Sequence, residues 1–254
     1  PEFDYNALSE TDKYIYDHYT VPYNVEVVYR WNQGDVSSDD MRKNLVPPRE
    51  SQVEPFLEMI EKVWVDTYTA EVGQQTLRSY IPKQILLVGS ASYNDDGSTT
   101  EGTAEGGRQI VLYSVNDFNF TLEQIQSYAH VMHHEFAHIL HQNVEYDAEF
   151  EKITPSYSSS WMQMNDETAR TKGFITAYAS SSADEDFAEM VSIMLTNSPE
   201  DWDDMIESAG NATAVEALRK KEAIVVAYMK NNWGVDMKDF QKEVVAAIEA
   251  AVRN

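Results

Sequence analysis

Five of the chain's six histidines fall between His130 and His141, in the run HVMHHEFAHILH. Within it, His134-Glu135-Phe136-Ala137-His138 spells H-E-x-x-H. Residues four apart share one face of a helix, so the His134 and His138 imidazoles can meet a single metal ion while Glu135 stands beside it. Such a zinc site, with three protein ligands and one open position, lowers the pKa of its water towards neutrality and polarises a carbonyl. The chemistry indicated is hydrolysis with Glu135 as general base, and Zn2+ is the expected cofactor. The bland alternative is a core helix whose histidines are simply hydrogen-bonded.

A helix must carry this run, and the residues before it supply a start. Phe120-Thr121-Leu122-Glu123-Gln124-Ile125 reads as a Thr N-cap with Gln at the third helical position and a Phe120–Ile125 staple, which predicts a helix from near Thr121 to about Gln142. Ile125, Tyr128, Met132, Phe136 and Ile139 recur at helical spacing and define its buried face. A third ligand is still needed. The continuation H-x-x-G-x-x-H is absent, since His141 stands where its glycine would fall and Val144, followed by Glu145, where its last histidine would. His141 shares the face of His134 and His138 but lies a turn too far along, which suggests a supporting or substrate-side role. Downstream, Phe187, Met190, Val191 and Met194 mark a helix on which Glu185 and Glu189 sit four apart. Two carboxylates at that spacing can act as a ligand and as the partner of a ligand histidine. Ser182-x-x-Glu185 equally fits a capping box, and the residues alone leave both readings open. Asp186 sits on the flank of this helix near Phe187, turned from the shared face, so its removal is expected to leave zinc affinity nearly unchanged.

H-E-F-A-H, followed about forty residues later by Tyr178 and then by Glu185 in a run ending F-A-E, resembles the lethal-factor-type gluzincins. The resemblance implies His134, His138 and Glu185 as metal ligands, Glu135 as base, Glu189 as the carboxylate behind a ligand, and Tyr178 as oxyanion donor. Val21-Pro22-Tyr23-Asn24-Val25-Glu26-Val27-Val28-Tyr29-Arg30-Trp31, the extended His134–Gln142 run and Glu185-Asp186-Phe187-Ala188-Glu189 are also similar to a group of zinc metallohydrolase lipoproteins. That group is encoded with outer-membrane nutrient-import systems in gut Bacteroidetes. It implies an outer-membrane-anchored lipoprotein of the cell envelope, periplasmic or at the cell surface, associated with import proteins.

Nineteen basic against 43 acidic residues give a formal charge of -24, which argues against nucleic acid or an anionic membrane as partner. The absence of cysteine excludes disulfides, a thiolate zinc site and a cysteine nucleophile. No apolar run approaches the length of a membrane span, and the start at Pro1 without Met suggests a mature chain. A length of 254 residues with 43% hydrophobic content fits one large domain.

Along the chain, Ser9 to about Tyr19 predicts a short helix, Tyr23–Trp31 a strand, and 33–50 a connection. Ser51 to about Val72 predicts an amphipathic helix closed by Gly73. Gln84–Val88 and Arg108–Val115 read as strands flanking a polar hairpin that fails the calcium-loop pattern. Arg108–Val115 could be either a sheet edge that pairs with substrate or an ordinary internal strand. The stretch 145–172 lacks periodicity and reads as a wrapping loop with the Ser156–Trp161 run. Helices are expected after Pro199, from a Thr213-x-x-Glu216 capping box to Gly234, and over Asp236–Val252.

The expected fold is α+β, a zincin-like metallopeptidase with a small N-terminal mixed sheet and a helical C-terminal half. It is read as one catalytic domain over 1–254, its cleft between a strand-containing half (1–142) and a helical half (143–254). The expected function is a monomeric zinc metallopeptidase acting on a peptide or protein. The alternatives are a nutrient-binding accessory protein with structural or vestigial zinc, and a hydrolase of a non-peptide amide.

Overall fold

Short runs rich in Val, Ile and Leu build the sheet of the computed structural model, which describes residues 3–36, 43–105 and 107–253. Parts of two expected loops, at 37–42 and 106, lie outside the described residues, as do the first two residues and the last. Strands β1 (Glu26–Val28), β2 (Gln84–Leu87), β5 (Gly102–Glu105) and β6 (Gln109–Leu112) form one sheet in the order β1-β2-β6-β5. β1, β2 and β6 are parallel and β5 is antiparallel to β6, with Ile85 opposite Ile110 and Thr103 opposite Val111. Strands β3 (Ser92–Tyr93) and β4 (Thr99–Thr100) pair separately as the expected hairpin.

One face of the sheet packs Leu86, Val88, Val111 and Tyr113 around Trp31 and Leu45. The Trp31 indole donates to the Leu87 carbonyl at 2.8 Å, so its one polar atom is satisfied inside the core. Ile85, Leu87, Ile110 and Leu112 alternate to the other face and are fully buried. The mixed sheet and the helical remainder make the fold α+β, as expected.

Several predicted spans shift. The strand expected over Tyr23–Trp31 shrinks to Glu26–Val28, because the helix capped by Ser9 runs on through a π turn to Tyr23 and ends at Asn24 in the left-handed region. The Ser51–Val72 helix begins at Glu50, passes through a π turn at Glu61–Val65, and stops at Gly73 with φ 82°. Gln74–Tyr80 adds a helix too short to announce itself by periodicity. β6 has neighbours on both sides, so the edge-strand reading of Arg108–Val115 is overturned: its backbone groups are already paired. The stretch 145–172 contains helices Glu149–Ile153 and Asp166–Thr171 and a 3-10 turn, Trp161–Gln163.

The chain divides into two compact units, Pro1–Val131 with Ala251–Asn254, and Met132–Ala250. The helix Leu122–Asn143 starts in the first unit and ends in the second. Its predicted start is seen in detail: Thr121 Oγ1 accepts from Gln124 N, and the Gln124 side chain accepts from Asn119 N at 2.7 Å.

The second unit is helical. Phe187 is the hub of its aromatic core, stacked on Tyr146 with ring centres 4.5 Å apart and edge-on to Phe150 and Tyr228. The helix Ala212–Trp233 is capped by Asn211, whose side chain accepts from Ala214 N, and not by the Thr213 box; Gly234 closes it at φ 71°. Helices Pro199–Glu207 and Met237–Ala251 lie near their expected places.

Candidate metal centre

All of the predicted site residues, His134, Glu135, His138, His141, Tyr178, Glu185 and Glu189, fall within the unit Met132–Ala250. The first four lie in two consecutive turns of the helix Leu122–Asn143. Glu185 and Glu189 lie on the helix Ala183–Thr196, which opens after the 3-10 turn Tyr178–Ser181. Ser182 separates turn from helix: its hydroxyl accepts from Glu185 N at 3.2 Å. The capping reading is thus correct for Ser182, while the Glu185 carboxylate is directed to the histidines.

Three donor atoms converge there. His134 Nε2 lies 2.9 Å and His138 Nε2 3.0 Å from Glu185 Oε2, and the two imidazole nitrogens are 3.1 Å apart. Tetrahedral zinc with ligands near 2.0–2.1 Å needs donors about 3.3 Å apart, so the set fits a zinc ion with only a few tenths of an ångström of spreading. His134, His138 and Glu185 form a group able to hold a metal ion.

Charge at the cluster favours a cation. Burial alone would depress the His134 imidazole, but hydrogen bonds to Glu185 and Glu189 prevail and push it up to about 10. Burial would raise Glu185, yet the two imidazoles hold its carboxyl well below the usual carboxylate range. The position between these three groups attracts positive charge, whether a proton or a metal.

The other face of each imidazole is also held. His134 Nδ1 lies 3.2 Å from Glu189 Oε2, and Glu189 Oε1 accepts from the Thr176 hydroxyl at 2.9 Å. Ser192 Oγ donates to Glu189 Oε2 at 3.3 Å. His138 Nδ1 lies 2.9 Å from His141 Nε2. With His138 offering Nε2 to a metal, its Nδ1 carries the proton and donates to His141. Burial lowers the His141 pKa, which keeps that ring neutral and able to accept.

Tyr178 completes the cluster. Its ring lies 5.8 Å from that of His134, and Trp161 packs on it at 5.0 Å. Burial and the neighbouring Glu185 carboxylate raise its hydroxyl above the usual tyrosine range, so the phenol keeps its proton through neutral pH. The charge of Glu135, the residue next to His134, adds to what raises both Tyr178 and His134.

Asp184 and Asp186, the competing carboxylates, point elsewhere. Asp184 accepts from the Tyr146 hydroxyl at 2.7 Å. Asp186 is wholly buried against Lys221, Nζ to Oδ2 2.6 Å, on the flank of the helix away from the donor atoms. It stays out of the donor cluster, but it has a structural partner that periodicity gave no reason to suspect. Thr176 was also missed, although Thr two residues before Tyr178 suits a hydroxyl-capped turn; it accepts from Ala179 N at 3.1 Å.

An α+β chain in which two histidines and a glutamate converge on one point has the fold and donor set of a metallopeptidase. It belongs to the family described as "Putative zinc-binding metallo-peptidase", whose model matches residues 5–238. It is also similar to a solved structure titled a "putative zinc-binding metallo-peptidase" from Bacteroides caccae ATCC 43185. The two are 32% identical, the match covers 98% of this chain and 95% of that one, and the TM-score is 0.83. None of the curated proteins compared with the chain matches it.

Proposed function

We propose that the chain is a zinc-dependent peptidase of the gluzincin type, with His134, His138 and Glu185 as the metal ligands. The observation that carries this reading is the convergence of their three donor atoms within 3.1 Å. A bound zinc ion supplies Lewis-acid polarisation of the scissile carbonyl and activation of water. Glu135 takes the proton from the attacking water and passes it to the leaving amine. Tyr178, protonated at neutral pH, donates to the oxyanion as the carbonyl becomes tetrahedral. Glu189 and His141 fix the tautomers of His134 and His138, so that each presents Nε2.

Metal analysis of the purified protein tests this first. About one zinc per chain is expected, and Glu185→Ala should bind it far more weakly, since two imidazoles alone leave the coordination incomplete. Protein that takes up no zinc when it is supplied would falsify the proposal.

Tyr178→Phe should retain zinc and slow turnover of a peptide substrate by roughly 10²- to 10³-fold, the scale for losing one oxyanion donor. If the change falls on KM with kcat intact, Tyr178 binds substrate and does not assist the chemistry.

We also propose that the whole chain serves as a single, monomeric catalytic domain, with its cellular place taken from the resemblance to the Bacteroidetes group. It would act at the cell envelope as an outer-membrane lipoprotein beside nutrient-import proteins. Membrane fractionation of the native organism checks this: recovery of the protein wholly in the cytosol contradicts it.

A further inference from the structure

Lys221 and Asp186 have no exposed side-chain surface, and their charged atoms lie 2.6 Å apart. Lys221 Nζ also donates to the Gly173 carbonyl at 2.7 Å and sits 4.3 Å above the Phe174 ring. The Tyr157 hydroxyl donates to Asp186 Oδ2 at 2.8 Å. A buried ion pair is a weak source of stability, because apolar side chains of similar volume serve as well or better. Its presence here needs another reason, and its position offers one.

Asp186 follows Glu185 directly and lies about 100° from it around the helix axis. A carboxylate about 6 Å from that axis moves about 1.5 Å when the helix turns by about 15°, whereas a working site tolerates about 0.5 Å. Apolar packing at Phe187 and Met190 holds the helix to the core but supplies no directional bond to a particular atom. The bonds made by Asp186 are directional, so pinning it in the interior sets the direction in which Glu185 points.

Tyr157 extends the same control to the neighbouring turn. Ser158 N donates to the Ser180 carbonyl at 2.9 Å, and the segment continues to Trp161, which packs on Tyr178. One buried carboxylate thereby joins the helix of Glu185, the helix of Lys221 and the segment that supports Tyr178.

We infer that Asp186, Lys221 and Tyr157 are positioning residues: a buried polar anchor that holds Glu185 and the Tyr178 turn in register for metal binding. The inference rests on the reading of Glu185 as a metal ligand.

The test is a triple variant, Tyr157→Phe with Asp186→Leu and Lys221→Met, which removes the polar groups together and strands no charge. Its thermal midpoint and its zinc affinity, by competition with a chromophoric chelator, are measured beside the wild type. The expected result is a folded protein whose midpoint is at or above that of the wild type and whose zinc Kd is about 10- to 100-fold weaker, the scale for losing groups that orient ligands. A folded triple variant with a Kd within about twofold of the wild type overturns the inference. Should the triple variant not fold, Tyr157→Phe alone decides. Zinc binding weakened several-fold at an unchanged midpoint supports the anchor, and unchanged affinity overturns it. Wild-type protein that takes up no zinc removes the metal-site reading and this inference with it, whereas zinc-binding wild type with unaffected variants removes the inference alone.

Discussion

Glu135→Gln is expected to leave zinc bound and reduce turnover about 10²- to 10⁴-fold, the range for losing a positioned general base. The amide keeps the shape of the carboxylate and cannot accept the water's proton. Glu135 is partly exposed, while the donor atoms of His134, His138 and Glu185 converge on one another without it. Its loss should therefore spare the metal, and zinc content measured on the same preparation separates the two roles. A substrate drawn from a mixed peptide library, cleaved by the wild type and blocked by chelator, gives the rate to compare. Wild-type turnover by a zinc-loaded Glu135→Gln protein would move the base to another residue, and joint loss of zinc and turnover would make Glu135 a structural element of the metal site.

The candidate site was legible because it sits on regular helices. Four-residue spacing puts His134 with His138, and Glu185 with Glu189, on shared faces whatever the tertiary fold. The spacing could not say which carboxylate of the second helix meets the imidazoles. Ser182 proved to cap that helix through its hydroxyl, which the capping reading of the sequence anticipated, while the Glu185 side chain turned to the histidines. The His141 assignment came from the same geometry: one turn beyond His138, it reaches the back of that ring.

Sheet order was less legible. Arg108–Val115 reads as a strand from its apolar run, but whether it is an edge depends on Gly102–Glu105, a stretch whose composition suggests loop and whose strand character comes only from pairing with β6. The short Glu26–Val28 strand was over-extended because Val21 and Tyr23, favourable in strands, instead form with Pro22 the last turn of a helix that runs on through a π turn. Lys221 was invisible for a different reason. A lysine on a helix surface is ordinarily solvated, and only the tertiary fold reveals that this one is enclosed by Phe174, Gly173 and Asp186.

The same enclosure makes single substitutions at this pair strongly destabilising. Lys221→Ala leaves the Asp186 carboxylate buried without its cation, and Asp186→Ala strands the Lys221 ammonium. Burial raises Asp186 and lowers Lys221 even with the partner present, so each charge depends on the other for its ionisation. Removing one member of such a pair costs about 3–5 kcal/mol, because the remaining charge must be neutralised or drawn to water at the expense of packing. In a chain of this size that corresponds to a drop in the unfolding midpoint on the order of 10 °C. Calorimetry of Lys221→Ala, Asp186→Ala and the paired Asp186→Leu/Lys221→Met variant provides the check. Both singles should fall well below the wild type while the pair returns close to it, a non-additivity of several kcal/mol that marks direct coupling. Singles that melt within a degree or two of the wild type would show that solvent reaches this pair and that the buried anchor does not exist.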